Sequence, residues 1–254
     1  MTTAHNLDHA REALAKAIHD RGSDLPRFDP LDISPYVAMS LLQKAIRRDR
    51  VDLALGSAAR LLDISPERLW RRLAVTAFED LGVADLDTVA LVMAGLTGKV
   101  WRGAHGGDWA VASLLVERMC AAPKCRAADD LAYYVCEQHP SLARARASLA
   151  QLPAEQLLDR AASRAAVPER ALALWYAVGT VRCRSTVLPR RASDPQAAFD
   201  GLCERGYPEA VAGVCREGLK KGAEVLAPFT LLLWREAQRS ARHVEPDDLC
   251  RRRT

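Results

Sequence analysis

Long apolar runs are missing from this sequence. The most hydrophobic stretch, Val225 to Trp234, is ten residues long and broken by Pro228 and Thr230, whereas a helix needs about 20 apolar residues to span a bilayer. The first seventeen residues carry His5, Asp8, His9, Arg11 and Glu12 and contain no apolar core, so a secretory signal is not expected there. Aromatic residues are few, at 6%, and β-branched residues are sparse, which disfavours a sheet sandwich. The seven cysteines are odd in number, scattered, and never spaced as C-x-x-C. That pattern argues against a disulfide framework and for a reduced, cytoplasmic protein with buried thiols. Lysine is scarce as well: 6 against 30 arginines.

What is present suits a helical core. Of 254 residues, 49% are hydrophobic, with Ala and Leu abundant, and 27% are charged. This excludes a disordered or collagenous chain and favours helices. The net charge of +4 permits nucleic acid without requiring it. Because the cations are mostly Arg, they are suited to bidentate phosphate or carboxylate contacts.

Helical periodicity and punctuation divide the chain throughout. A helix is expected over 5–21, followed by a linker over 21–35 broken by Gly22, Pro26, Pro30 and Pro35. Ser34-Pro35 reads as a cap and first helical residue, with Val37, Leu41, Leu42 and Ala45 as the apolar face. A second helix covers about 51–62. Ser65-Pro66-Glu67 opens a third by the same device, carrying Leu69, Leu73, Ala77, Phe78 and Leu81 inward and ending at Gly82. The segment 85–96, almost wholly apolar from Val89, reads as a buried central helix. A Gly-rich connection over 99–108 precedes a helix that Asp108 would cap. Further helices are expected over 124–137, 141–150, 154–165, 168–182, 194–204, 208–220 and 225–242, with a basic loop over 182–192 and a basic tail at Arg251 to Arg253. The expected fold is all-α: a multi-helix bundle over 35–140 after an N-terminal helix and linker (1–34), then a second helical layer over 141–254.

Between Ser40 and Tyr134 a set of motifs recurs in a known order. It begins with Leu42-Gln43-Lys44-Ala45-Ile46-Arg47-Arg48, then Asp52-Leu53-Ala54-Leu55 and Ala59-Arg60-Leu61-Leu62. Arg71-Arg72-Leu73-Ala74 follows, then Phe78-Glu79-Asp80-Leu81-Gly82-Val83-Ala84-Asp85, and finally Ala121-Ala122-Pro123-Lys124 with Ala127 and Tyr133. This segment resembles the C-terminal, collar-like domain of the RarA/MgsA family, AAA+ ATPases of replication-fork maintenance related to the Werner-helicase-interacting protein. Gly56-Ser57 stands where that family carries Tyr-Trp, and Phe78 where it carries Ser.

In the family an ATPase module comes first, whereas only some 35 residues precede the segment here. No G-x-x-x-x-G-K-[ST] occurs in the sequence, so a phosphate cradle of that kind is not expected. The resemblance implies an oligomeric helical scaffold of DNA replication, recombination or repair, without catalysis and without a cofactor. Its implied partners are further copies of itself, DNA, or an acidic replication protein, and not a membrane.

Lys44, Arg47 and Arg48 share one helix face, and Arg68, Arg71 and Arg72 repeat the spacing two helices later. Two such faces are able to straddle a phosphate backbone, and solvated faces are the plainer alternative. Glu67 stands four residues before Arg71, and Asp49 and Glu79 are candidate neutralisers. Glu79 and Asp80, adjacent on a helix, point apart and suit pairing with Arg60 or Arg72, or capping, better than acid–base chemistry.

Gly103, His105, Gly106 and Gly107, flanked by Trp101 and Trp109, form a candidate anion site at a helix start, although Asp108 there would repel an anion. Cys120, Cys125, Cys136 and His139 match no zinc spacing, and Asp129-Asp130 is no magnesium motif; no metal is expected. Trp70, Trp175, Trp234, Phe78, Phe229 and Tyr176 fall on apolar faces and read as core or subunit seam. A helical adaptor or inhibitor without DNA contact is the second functional reading, and a small-molecule enzyme using His105 or Glu79 the third.

Overall fold

The computed structural model describes residues 7–96, 98–136, 140–181 and 188–240. Among the described residues the protein is all-α: fourteen α-helices, with short 3-10 and π turns and no strand. The chain divides into two compact units, Met1–Lys124 and Cys125–Thr254. Among the described residues no helix is long and apolar enough to cross a membrane.

The first unit contains α1 (Leu7–Arg21), α2 (Pro35–Arg47), α3 (Val51–Ile64), α4 (Pro66–Thr76), α5 (Leu86–Gly95), α6 (Lys99–Ala104) and α7 (Gly107–Ala121). Helix α5 is buried over most of its length, as its unbroken apolar run predicts. Asp85 starts it by accepting a hydrogen bond from the Thr88 amide at 2.9 Å, one of the amides at a helix start that has no partner within the helix. Helices α1 and α7 pack on α5, and α3 packs on α7. A Cβ at Gly95 would lie 2.7 Å from Leu115 Cδ1, so α5 and α7 approach as closely as they do because glycine has no side chain there.

The linker after α1 is pinned at four points. Trp109 Nε1 donates to the Pro26 carbonyl at 2.8 Å, Phe28 packs edge-on against the Trp109 ring, and Arg60 Nε donates to the Ile33 carbonyl at 3.0 Å. Leu31 fills the space that Gly56 leaves open; a Cβ at Gly56 would stand 2.9 Å from Leu31 Cγ. Glycine at that position is therefore a packing requirement for the linker.

Three local expectations are corrected. Ser34 caps α2 through its hydroxyl, which accepts from the Val37 amide, but Ser65 makes no such side-chain bond at the start of α4. The connection over 99–108 is not irregular: Lys99–Ala104 is a helix, and Gly106, in the left-handed region at φ 83°, stands at the cap of α7. Asp108 therefore sits inside the first turn and pairs with Arg102 (Nε to Oδ1 2.6 Å). Beyond Thr76, α4 widens into a π turn, Ala77–Leu81, before Gly82 at φ 50° ends it. Turns of this kind change the direction in which side chains leave the helix.

The second unit contains α8 (Ala127–Cys136), a 3-10 turn (Pro140–Leu142), α9 (Ala143–Leu149), α10 (Ala154–Ala162), α11 (Val167–Val178), α12 (Pro195–Glu204), α13 (Glu209–Lys220) and α14 (Leu226–Ser240). Helix α11 is buried from Arg170 to Val178 and is packed by α8, α9, α10, α12 and α14. Trp175, Tyr176, Phe199, Tyr207 and Phe229 are buried here. Asp194 caps α12 through the Gln196 amide at 2.9 Å. The loop after α11 is closed at its base, where the Thr180 amide donates to the Arg191 carbonyl at 2.9 Å. Most of the expected basic loop, 182–187, and the tail lie outside the described residues.

Candidate nucleic-acid interface

Helix α2 buries one apolar face. Ala38, Leu42, Ala45 and Ile46 are buried and pack toward α3 and α4. The face expected from sequence included Val37 and Leu41, but Val37 is 51% exposed and Leu41 only half-buried. Both sets repeat at nearly helical spacing, and the smaller Ala38, not Val37, is the residue that fits the crossing. The resulting rotation leaves Tyr36 (71% exposed), Val37, Ser40 and Lys44 on the outside. On α4, Leu69, Leu73 and Trp70 are buried as expected, and Arg71 is exposed.

The six basic candidates separate into three groups. Arg47 is committed internally: its Nε donates to Asp80 Oδ1 at 2.7 Å and its Nη2 to Glu79 Oε1 at 3.2 Å. Gln43 Nε2 donates to Asp80 Oδ2 at 3.2 Å, and Arg72 Nη1 donates to Gln43 Oε1 at 3.1 Å. Asp80 is completely buried, so these contacts supply the donors that a desolvated carboxylate requires.

The sequence offers Glu79 and Asp80 an arginine such as Arg60 or Arg72, or a capping role; both carboxylates reach Arg47. A guanidinium carries donors in several directions and can serve two carboxylates at once. Arg60 instead lies near Asp32 and Asp63, at 3.9 and 3.6 Å.

Arg68 forms the second group. Its guanidinium lies 5.2 Å from the centre of the Tyr36 ring and has no ion-pair partner among the described residues. The third group is Lys44, Arg48 and Arg71, all exposed and likewise without a carboxylate partner among the described residues. The Glu67–Arg71 pair that the spacing allows is not formed. Asp49 is bonded to Lys124 Nζ at 2.7 Å and neutralises none of the six.

Little in the sequence marks Tyr36 as part of this face. Tyr36 follows Pro35 in the first turn and precedes Lys44 by eight residues, which is the only local signal of a shared face.

The segment around His105 is arranged differently from the expected anion site. The His105 ring stacks on Trp101 at 4.1 Å, and its Nδ1 donates to the Trp101 carbonyl at 2.7 Å. Gly106 and Gly107 have φ of 83° and 88°, and Gly103 has open space around it. The Asp108 carboxylate stands in the first turn of α7, bonded to Arg102, whose guanidinium covers the Trp70 ring at 4.2 Å. Gly103, His105, Gly106 and Gly107 thus form local turn structure, with a carboxylate where an anion would bind.

Cys120 and Cys215 are buried and Cys125, Cys136 and Cys203 half-buried, none of the five in a disulfide; His139 lies outside the described residues. Among the described residues no group of three or more His, Cys, Asp or Glu side chains could hold a metal ion. In the second unit a cavity of about 240 Å³, lined in part by Trp175, Gly179, Arg191, Ser193 and Leu219, was not legible in the sequence.

The chain matches no protein-family model, no curated protein and no solved structure.

Proposed function

We propose that this protein is a non-enzymatic, self-associating helical accessory factor of DNA replication, recombination or repair, cytoplasmic and without a cofactor, and that its α2–α4 face holds nucleic acid. The observation that carries the reading is the state of the cations on that face. Lys44, Arg48 and Arg71 are exposed with no carboxylate partner among the described residues, and Arg68 rests on an aromatic ring instead of an acid. Uncompensated cations on neighbouring helices attract a polyanion and release its counterions on binding. The motif order between Ser40 and Tyr134, which resembles a collar domain of fork-maintenance ATPases, supports the same reading. Gel-shift titrations at two salt concentrations test it: affinity should fall steeply as salt rises, and no binding at low salt removes the nucleic-acid function.

A second reading, a helical adaptor or inhibitor that contacts protein only, is favoured by two observations. Arg47 is spent on Asp80 and Glu79, and the exposed part of α2 includes the apolar Val37. A solution mass above the monomer, unaffected by DNA, together with absent DNA binding, would select this reading.

A further inference from the structure

The α2 face contains more than positive charge. A shallow depression of about 370 Å³ runs over Tyr36, Val37, Ser40, Leu41 and Lys44. Its floor is apolar, and a phosphate backbone has no use for apolar surface. Tyr36, Ser40 and Lys44 follow one another at four-residue intervals, so the ring and the ammonium stand on one line about 12 Å apart along the helix. The Tyr36 ring is partnered on one side by Arg68 and is otherwise largely open to solvent. A cation held over an aromatic face is positioned without being neutralised, so Arg68 keeps its charge for a phosphate beside whatever covers the ring.

We propose that this face takes single-stranded nucleic acid, one unpaired base stacking on Tyr36 while Arg68, Lys44 and Arg71 hold the adjoining phosphates; the proposal rests on the nucleic-acid reading above. A duplex keeps its base faces inside its own stack and offers this surface only phosphates and sugars, leaving the ring, Val37 and Leu41 against a charged strand. An unpaired strand presents flat apolar faces beside phosphates, and this face sets one exposed ring, Tyr36, beside the cations Arg68 and Lys44. Proteins that bind single strands combine such a basic track with an exposed aromatic platform. The charge excludes an occupant that is apolar alone, because the depression is bordered by cations that a neutral helix would leave unpaired.

The test uses the full chain and fluorescence anisotropy with an oligothymidine and a mixed-sequence duplex of equal length, at low and high salt. The single strand should bind more tightly than the duplex. Tyr36→Ala should weaken the single strand about tenfold, the loss expected of one stacked base, and erase the preference over duplex. Tyr36→Phe, which keeps the ring, should retain it. Lys44→Ala should weaken both ligands and reduce the salt dependence. Tyr36 lies on the surface, so circular dichroism should show the variants folded.

Equal binding of both ligands, unchanged by Tyr36→Ala, overturns the single-strand proposal and leaves the nucleic-acid reading standing. Failure of both ligands at low salt overturns the two together. Loss of self-association in Tyr36→Ala, measured by sedimentation, with single-strand binding intact, assigns the face to a protein contact and overturns the proposal as well.

Discussion

In the first unit the fully buried charge described above is a carboxylate. Asp80 has no exposed surface, and the side chain of its partner Arg47 keeps 33% of its own. In the second unit the arrangement is inverted: the Arg170 side chain is 1% exposed and its partner Glu236 33%. The Asp80 cluster draws in Gln43 and Arg72 and joins α2 to α4 and its π turn. Arg170 joins α11 to α10 through the Ala161 carbonyl at 3.0 Å and to α14 through Glu236, and its Nη2 has no hydrogen-bond partner among the described residues.

The two designs differ in what they leave outside. The first absorbs two of six cations from the α2–α4 surface and leaves the remainder uncompensated. The second places its long side chain in an aromatic-rich interior, where it ties α11 to α10 and α14. The desolvation cost of a buried ion pair offsets much of its attraction, and removing one member leaves the other to be resolvated or stranded.

Arg170 is the larger of the two buried side chains, so Arg170→Ala should have the largest effect on folding. The variant loses the pair, the bond to Ala161 and the volume of a long buried stem, and unfolding by urea should show a loss of about 3–5 kcal/mol. A loss below about 1 kcal/mol would erase the proposed difference between the units.

Asp80→Asn should have a smaller effect, about 1–3 kcal/mol in the same measurement, because Arg47 can turn to solvent and Asn keeps one acceptor for it. The same variant sharpens the functional side of the comparison. With the Asp80 charge gone, Arg47 still pairs with Glu79, but the face is one unit more positive, so binding to a polyanion should strengthen; weaker binding at unchanged fold would break the link drawn between core and face.

The smallest effect lies in the thiols and is absent at neutral pH. Burial raises Cys120 in the first unit from 9.0 to about 11. Burial, with a hydrogen bond to Glu209, raises Cys203 in the second from 9.0 to about 12. Below pH 9 both states of the protein hold these protons, and the thiols contribute their full stability. Above it the unfolded chain releases them first, so stability should decline from pH 9 upward until the folded thiols also ionise. Chemical denaturation of the parent and of Cys120→Ala and Cys203→Ala across alkaline pH measures this; variants with the parent's slope would show that the thiols are not the cause.

Part of the candidate site was legible locally. Ser34-Pro35 and Gly82 mark where helices begin and end, and the four-residue spacing of Leu69 and Leu73 fixes the inner face of α4. On α2 the same reasoning selected Val37 where the packed residue is Ala38, because adjacent apolar residues fit one period almost equally well. The Gly-rich stretch before α7 read as a loop, yet Lys99–Ala104 coils into a helix with Arg102 carried to Asp108. The partners of the cations were not legible at all. Arg47 and Asp80 are 33 residues apart, and the spacing rules for charges on one helix say nothing about pairs between helices.

The sequence by itself determined an all-helical chain, the positions of most helix ends and the identity of the buried central helix α5, since these follow from composition, period and capping within a few residues. Only the tertiary structure decided which arginines are consumed by carboxylates, which one lies on Tyr36, and which side of α2 faces water. Those outcomes depend on how closely α2, α4 and the π turn approach one another, and that distance is set by the packing of Ala38, Leu42 and their neighbours across helices.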